Sequence, residues 1–137
     1  MFKRLAHVCI KTNDLDACER FYRDVLGCRV VFHFHRNDRV FGAYFEVGSN
    51  SFIEVFENSS AVAMQSTGLD HFCLETGDID AVITHLEEQG VEHTQKKRGA
   101  DQSWQIWIKD PDGHRIEIQE YTEASSQHTG RDAIATW

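Results

Sequence analysis

The sequence has one proline among its 137 residues, and no apolar run approaches the length of a membrane span. The low proline content and the 41% of hydrophobic residues exclude a disordered, proline-rich chain. They indicate a compact globular protein of one domain. Without an apolar span we expect no insertion into a membrane. The first residues also lack the apolar core of a secretory signal, which predicts a cytoplasmic protein.

A surplus of positive charge is missing as well, because the formal net charge is −8. A chain this acidic is poorly suited to nucleic acid or to an anionic membrane surface, so we expect neither as a partner. The four cysteines, Cys9, Cys18, Cys28 and Cys73, form no CxxC pair. Free thiols in a reducing compartment are therefore favoured over disulfides or a zinc knuckle.

The chain contains an internal repeat. The segment LAHVCIKTNDLDACERF, beginning at Leu5, matches LDHFCLETGDIDAVITH, beginning at Leu69, with seven identical positions at an offset of 64. Further along, Ile53-Glu54 matches Ile116-Glu117 at an offset of 63. Matches this dense and in the same order indicate two copies of one structural unit, which constrains the architecture more than local propensity does.

Each copy has the pattern of a strand, a helix and three further strands. Helices are expected to begin after Asp14 and Asp78, which are suited to N-cap positions, and to end before Gly27 and Gly90. Alternating apolar residues and turn signals predict the strands, at 5–12, 28–35, 39–46 and 51–57 in the first copy and at 69–76, 91–97, 103–109 and 114–121 in the second.

The predicted fold is α+β. Two tandem βαβββ modules, residues 1–58 and 69–122, are joined by a linker at 59–68 and form a single domain over residues 1–122. We expect a curved eight-stranded mixed sheet with the helices on its outer face. A polar tail at 123–137 would be loose or contain a marginal short helix.

Strand alternation places four polar side chains on the face opposite the helices: His7, Glu54, His71 and Glu117. Any one of them alone would be an ordinary polar residue on a strand. Four at matching positions of a repeat, two imidazoles and two carboxylates, are instead typical of a divalent metal site. Zinc, nickel, cobalt, manganese or iron would suit these ligands.

Two further segments carry a family resemblance: NDLDACERFYRDVLG after the first histidine and DPDGHRIEIQE around the last glutamate. With the four candidate ligands, they make the chain from Leu5 to about Tyr121 similar to the vicinal oxygen chelate superfamily, which includes glyoxalases, bleomycin resistance proteins and dioxygenases. Within it, the chain most resembles bacterial-type glyoxalase I, the lactoylglutathione lyases. The resemblance implies that His7, Glu54, His71 and Glu117 are the metal ligands.

The resemblance also implies a function. It predicts a lyase that isomerises the hemithioacetal of methylglyoxal and glutathione to a hydroxyacyl thioester, through an enediolate stabilised by the metal. Glu117 would be the principal base, with Glu54 as the pseudo-symmetric alternative. Asn58 matches an asparagine that contacts glutathione in the family. Lys11 lies where the family has an arginine, so the positive charge is kept but the two parallel N–H donors of a guanidinium are not. The implied assembly is a homodimer that shares its ligands between chains.

Other members of the superfamily remain as alternatives. Extradiol dioxygenases and fosfomycin-type thiol transferases need only the equivalents of His7, His71 and Glu117, so Glu54 favours glyoxalase chemistry over theirs. A related class of epimerases usually carries glutamine in place of Glu54. A drug-binding dimer of the bleomycin resistance kind would normally lack the metal residues.

Three further groups of residues have expected positions or roles. His33 and His35 are expected to line a strand face or cavity and not to bind metal, because no carboxylate accompanies them in the sequence. Lys96, Lys97 and Arg98 would form a solvated loop face, although a role in holding a substrate carboxylate is the alternative. The thiols of Cys9 and Cys73 are expected to be small liners of the site and not nucleophiles.

Overall fold

The computed structural model describes residues 6–57 and 71–131. The chain divides into two compact units, Met1–Ser66 and Thr67–Trp137. Each unit contains one four-stranded mixed sheet, so the eight predicted strands are hydrogen-bonded as two sheets of four. The predicted pair of βαβββ modules is confirmed. No helix in the described ranges combines the length and hydropathy needed to cross a bilayer.

The first unit has its strands in the order β1-β4-β3-β2, with β1 parallel to β4 and the other pairs antiparallel. Its elements are β1 (His7–Thr12), α1 (Leu15–Arg20), β2 (Arg29–Arg36), β3 (Arg39–Val47) and β4 (Ser51–Glu57). The described bounds of the four strands lie within a residue or two of those predicted from the sequence.

The second unit repeats this arrangement, with the order β5-β8-β7-β6 and β5 parallel to β8. Its elements are β5 (His71–Glu75), α2 (Ile79–Glu88), β6 (Lys97–Arg98), β7 (Trp104–Lys109), β8 (Arg115–Glu120) and α3 (Ser126–Thr129). The last of these is the short helix expected in the polar tail.

The two main helices begin in the same way. The carboxylates of Asp14 and Asp78 accept hydrogen bonds of 2.9 Å from the backbone N–H of Ala17 and Ala81, respectively. Each bond satisfies an N–H that has no partner within the helix, which is the role predicted for both residues.

The helix in the first unit differs from the expected single α-helix. After α1 the chain continues as a π-helical segment, Phe21–Val25, in which the N–H of Leu26 donates to the carbonyl of Phe21. This segment keeps Phe21 and Tyr22 buried, and the Tyr22 ring lies 5.5 Å from that of Phe45 on the sheet. Burial of aromatic rings against the sheet therefore accompanies the departure from α-helical geometry, which a simple 3.6-residue period does not predict.

The prediction of a strand over 91–97 is wrong, since only Lys97–Arg98 pairs with β7. Thr94 contacts Trp107 through two hydrogen bonds, one from its own N–H and one accepted by its side-chain hydroxyl. The Thr94 hydroxyl accepts the hydrogen bond from the Trp107 N–H, which a carbonyl of a paired strand would otherwise accept. Regular strand pairing therefore does not form here.

Buried isoleucines and valines define the helix-facing side of each sheet. Ile53 and Val55 of β4 are at most 2% exposed, and Ile116 and Ile118 of β8 at most 3%. Glu54 and Glu117 lie between these buried positions and therefore project from the opposite face. The alternation expected from the sequence is confirmed in both units.

The hairpin joining β7 to β8 is stabilised by the carboxylate of Asp110, whose side chain is fully buried. One oxygen accepts from the N–H groups of Asp112 at 3.0 Å and His114 at 2.8 Å, and the other lies 2.7 Å from Nδ1 of His114. This hydrogen bond with Asp110 is the main cause that raises the pKa of His114, against the opposing effect of burial.

We expect Asp110→Asn to lower the free energy of unfolding by about 2 kcal/mol, because it removes a buried, charge-assisted hydrogen bond. The raised pKa means that the folded chain holds the His114 proton more tightly than the unfolded chain. That stabilisation is fully present below the ordinary histidine pKa of about 6.5 and is lost as the pH rises through the raised value.

Urea unfolding should therefore show that Asp110→Asn lowers the free energy of unfolding by more at pH 6 than at pH 9. Asp38→Asn, in the exposed turn between β2 and β3, is the matched control and should have little effect at either pH. An equal loss at both pH values would contradict the assigned role of the His114 proton.

Candidate metal site

In the first unit, His7 on β1 and Glu54 on the neighbouring strand β4 converge on the face opposite the helix. The Nε2 atom of His7 lies 3.8 Å from Oε2 of Glu54. The other ring nitrogen, Nδ1, lies 3.3 Å from the hydroxyl of Tyr44, which is the β3 neighbour of Glu54. The contact with Tyr44 orients the ring so that Nε2 is directed toward the carboxylate.

The second unit has an equivalent pair. Nε2 of His71 lies 3.5 Å from Oε2 of Glu117. The side-chain amide of Gln119 donates a hydrogen bond of 3.2 Å to the other oxygen of Glu117, and the ring of Trp107 meets that of His71 edge-on, with centroids 4.7 Å apart. Gln119 thus fixes the Glu117 carboxylate, which is buried, with one oxygen turned toward His71.

The two pairs have the same strand register. Cys9 is the residue directly opposite Glu54, and Cys73 is the residue directly opposite Glu117. Each histidine lies two residues before its cysteine, on the same face of its strand. The structure thus brings together the four predicted ligands as two equivalent pairs, one in each unit.

The spacing within each pair suits two ligands of one transition metal ion. Zinc binds histidine nitrogen and carboxylate oxygen at about 2.1 Å, so two such donors on one ion lie about 3.0 to 3.4 Å apart for bond angles between 90° and 109°. The observed 3.8 and 3.5 Å are close to this range and are long for a direct hydrogen bond. The residues present therefore fit a divalent metal in both donor type and spacing.

The cysteines beside these pairs are poor nucleophiles. Burial and then the Glu117 carboxylate raise the pKa of the Cys73 thiol to about 12. The pKa of Cys9 is also raised, chiefly by burial and then by Glu54. Because the thiolate is the reactive form, both thiols agree with the expected role as small liners of the site.

Other residues singled out in the sequence lie elsewhere. Lys11 is exposed on β1, with its ammonium 4.8 Å from the centre of the Phe56 ring, and Asn58 lies outside the described residues. His33 and His35 lie exposed on β2, as expected, but the reason given for His33 is wrong, because its Nε2 lies 2.8 Å from the carboxylate of Glu19 on α1. Glu19 and His33 are far apart along the chain, so this contact forms only when α1 packs against the sheet.

The sequence did not predict two hydrogen-bonding partners of the candidate ligands. These are Tyr44, which contacts His7, and Gln119, which donates to Glu117. Gln119 shares a strand face with Glu117, so the alternation of β8 was a usable signal. Tyr44 could be found only from the pairing of β3 with β4, since it lies far from His7 along the chain.

The family model of the Glyoxalase/Bleomycin resistance protein/Dioxygenase superfamily matches residues 4–118. The chain belongs to this superfamily. A virulence protein from Salmonella typhimurium is 30% identical over 124 residues, which cover 86% of this chain and 84% of that protein.

Solved structures within the superfamily are also similar to this chain. A glyoxalase family protein from Enterococcus faecalis has a TM-score of 0.77 and 29% identity, covering 87% of this chain and 98% of its own. A lactoylglutathione lyase from Agrobacterium tumefaciens has a TM-score of 0.66 and 25% identity, covering 85% and 92%, respectively. Membership of the superfamily agrees with the resemblance seen in the sequence.

We expect Tyr44→Phe to weaken the binding of nickel or zinc about tenfold, because hydrogen bonds to the second nitrogen of a ligand histidine orient it and increase its basicity. The ring contacts of residue 44 would be kept, so thermal stability of the metal-free protein should change little. Competition titration with a chromogenic chelator measures the affinity. Tyr121→Phe is the control, and equal affinities for all three proteins would contradict the role given to Tyr44.

Proposed function

We propose that this chain is a divalent-metal-dependent enzyme of the glyoxalase I type. Its substrate would be the hemithioacetal of a 2-oxoaldehyde and a thiol, and its product a hydroxyacyl thioester. The observation that carries the proposal is the pair of equivalent histidine–glutamate contacts, 3.8 Å for His7 and Glu54 and 3.5 Å for His71 and Glu117.

All four residues are proposed as ligands of one ion, with nickel, zinc, cobalt, manganese or iron as candidates. Two neutral imidazoles and two carboxylates contribute a charge of −2, which balances a divalent cation. The two pairs that complete one site would come either from one chain or from the two chains of a homodimer. When bound, the ion supplies a Lewis acid that stabilises negative charge on two neighbouring oxygens of the substrate.

The reaction moves two protons, one between the adjacent carbons and one between the two oxygens that those carbons carry, with no net oxidation. We assign Glu117 as the principal base: its carboxylate takes the proton from the carbon that carries the thiol and returns it to the neighbouring carbon. The hydrogen bond from Gln119 supports this role because it holds the Glu117 carboxylate in one orientation. Glu54, the equivalent residue of the first unit, is the alternative candidate for the base.

The presence of Glu54 favours this reaction over the alternatives. Extradiol dioxygenases and thiol transferases of the superfamily need three ligands and an open position, and a fourth carboxylate beside His7 would occupy that position.

The first experiment is metal analysis of the purified protein, followed by assay with methylglyoxal and glutathione after loading with nickel, cobalt, manganese or zinc. We expect about one ion per His7–Glu54–His71–Glu117 set and formation of the thioester. Metal bound at this stoichiometry with no thioester formed would exclude the reaction but keep the site. Purified protein that binds none of these ions would instead favour a drug-binding protein.

The second experiment separates the two glutamates. Glu117→Gln should lower kcat by about 10² to 10⁴, the usual contribution of a general base, while most of the metal stays bound through the remaining ligands and the amide oxygen. Glu54→Gln should lower kcat less, and Glu75→Gln, on the same strand as His71, should leave it unchanged. Full activity in Glu117→Gln would show that the base lies elsewhere.

A further inference from the structure

The C-terminal helix α3 is attached to the second unit through Asp101, which lies in the turn between β6 and β7. The backbone carbonyl of Asp101 accepts a hydrogen bond of 2.8 Å from the N–H of Ser126, the first residue of α3. The side-chain amide of Gln127, the next residue of the helix, donates a hydrogen bond of 2.6 Å to Oδ2 of Asp101. Main chain and side chain of the tail therefore meet the same residue.

Further donors fix the carboxylate of Asp101. The backbone N–H of Ser103 donates to Oδ1 at 3.2 Å, and the Ser103 hydroxyl donates to Oδ2 at 2.9 Å. That hydroxyl also lies 3.0 Å from the hydroxyl of Ser125, and both serines are fully buried. Burial raises the pKa of Asp101, but hydrogen bonds from Gln127 and Ser103 outweigh it and leave that pKa below its ordinary value. Asp101 is therefore an anchored anion at neutral pH.

The side-chain amide of Gln119 lies between Asp101 and Glu117. Its Nε2 atom is 3.5 Å from Oδ2 of Asp101 and 3.2 Å from Oε1 of Glu117. Because an amide nitrogen carries two N–H groups, one Gln119 side chain can donate to both carboxylates. At 3.5 Å the contact with Asp101 is long for a hydrogen bond, so its main effect is the attraction between an anion and an N–H group. Turning the amide over would instead place its oxygen against two anions.

These contacts form one continuous chain from the tail to a proposed metal ligand. We call this chain the tail relay, and its members are Gln127, Asp101, Gln119 and Glu117. The first unit differs at the corresponding position: Phe56 lies two residues after Glu54 on β4, and a phenyl ring cannot donate a hydrogen bond. The tail relay therefore distinguishes Glu117 from Glu54, although the two glutamates occupy matching positions of the repeat.

We propose that Asp101 and Gln127 are positioning residues for Glu117. The tail helix holds Asp101, Asp101 holds the Gln119 amide, and the amide occupies Oε1 of Glu117 so that Oε2 stays directed toward His71. The inference rests on the proposed function for the role of Glu117 as ligand and base, and it extends that function by making the tail part of the site. A carboxylate free to rotate would be aligned less often with the C–H bond, so loss of the relay should lower kcat more than it changes KM.

The first test follows the tail relay by NMR in the whole chain after removal of metal with EDTA. The readouts are the side-chain amide signals of Gln119 and the carboxyl carbon signal of Glu117, assigned from their loss in Gln119→Leu and Glu117→Gln. The test variant is Gln127→Glu, which keeps the size of an exposed side chain but replaces the donor to Asp101 with a carboxylate. We expect the signals of both Gln119 and Glu117 to shift in this variant.

The matched control is Gln102→Glu, which adds the same charge at an exposed position next to Asp101 in the chain. We expect the signals of Gln119 and Glu117 to stay in place in this control. Unchanged signals in Gln127→Glu, or equal shifts in Gln127→Glu and Gln102→Glu, would overturn the inference.

The second test asks whether the effect of the tail passes through Gln119. Gln119→Leu should lower kcat about tenfold, because it removes the hydrogen bond to the Glu117 carboxylate. Gln127→Glu should lower kcat about threefold with little change in KM, since it weakens that bond without removing it. Combining Gln127→Glu with Gln119→Leu should cause no further loss, whereas additive losses would show another route from the tail and overturn the inference. The affinity for nickel, measured by chelator competition, should show the same lack of additivity.

The two tests separate this inference from the proposed function. A chain that forms no thioester in any metal-loaded state would contradict the proposed function alone, because the NMR signals of the metal-free protein report on the tail relay separately. An active enzyme in which Gln127→Glu shifts neither the Gln119 signals nor the Glu117 signal would contradict the tail relay and leave the proposed function standing.

Discussion

The parallel pairing of the first and last strands of each unit is the constraint on which the candidate site depends. This pairing sets Cys9 opposite Glu54 and Cys73 opposite Glu117, and so brings each histidine within reach of its glutamate. A slip of one residue would turn the glutamates into the core and the isoleucines out of it. Burial of the isoleucines therefore fixes the register, and the register brings each histidine close to its glutamate.

The repeat preserves the histidine–glutamate pairs but not the residues around them. Tyr44 and Trp107 occupy equivalent positions, each directly opposite a glutamate, and Phe52 and Arg115 are equivalent, each directly opposite a histidine. In the first unit these positions form a stack in which the Tyr44 ring lies 5.2 Å from that of Phe52 and 4.8 Å from that of Phe32. In the second they place a cation over an indole. The two units thus share the histidine–glutamate pair and differ in the side chains that surround it.

Most of the fold could be predicted because its signals are local. N-cap aspartates, helix-ending glycines and strict alternation of isoleucine with polar residues act over a few positions, and the internal repeat gave two independent views of each element. The errors came where contacts distant in sequence override local preference. The Thr94 hydroxyl interrupts a strand by bonding to Trp107, and a carboxylate on α1 reaches His33 on β2.

The sequence by itself determined the repeat, the order of elements and the face from which His7, Glu54, His71 and Glu117 project, because alternation and duplication are properties of the chain. Tertiary structure decided how far apart the members of each pair lie. It also decided which ring nitrogen of His7 contacts Tyr44 and which carboxylate oxygen of Glu117 accepts the hydrogen bond from Gln119. The same packing placed Gln127 of the tail against Asp101. These relations depend on strand register and side-chain packing, which arise only when residues far apart along the chain come into contact.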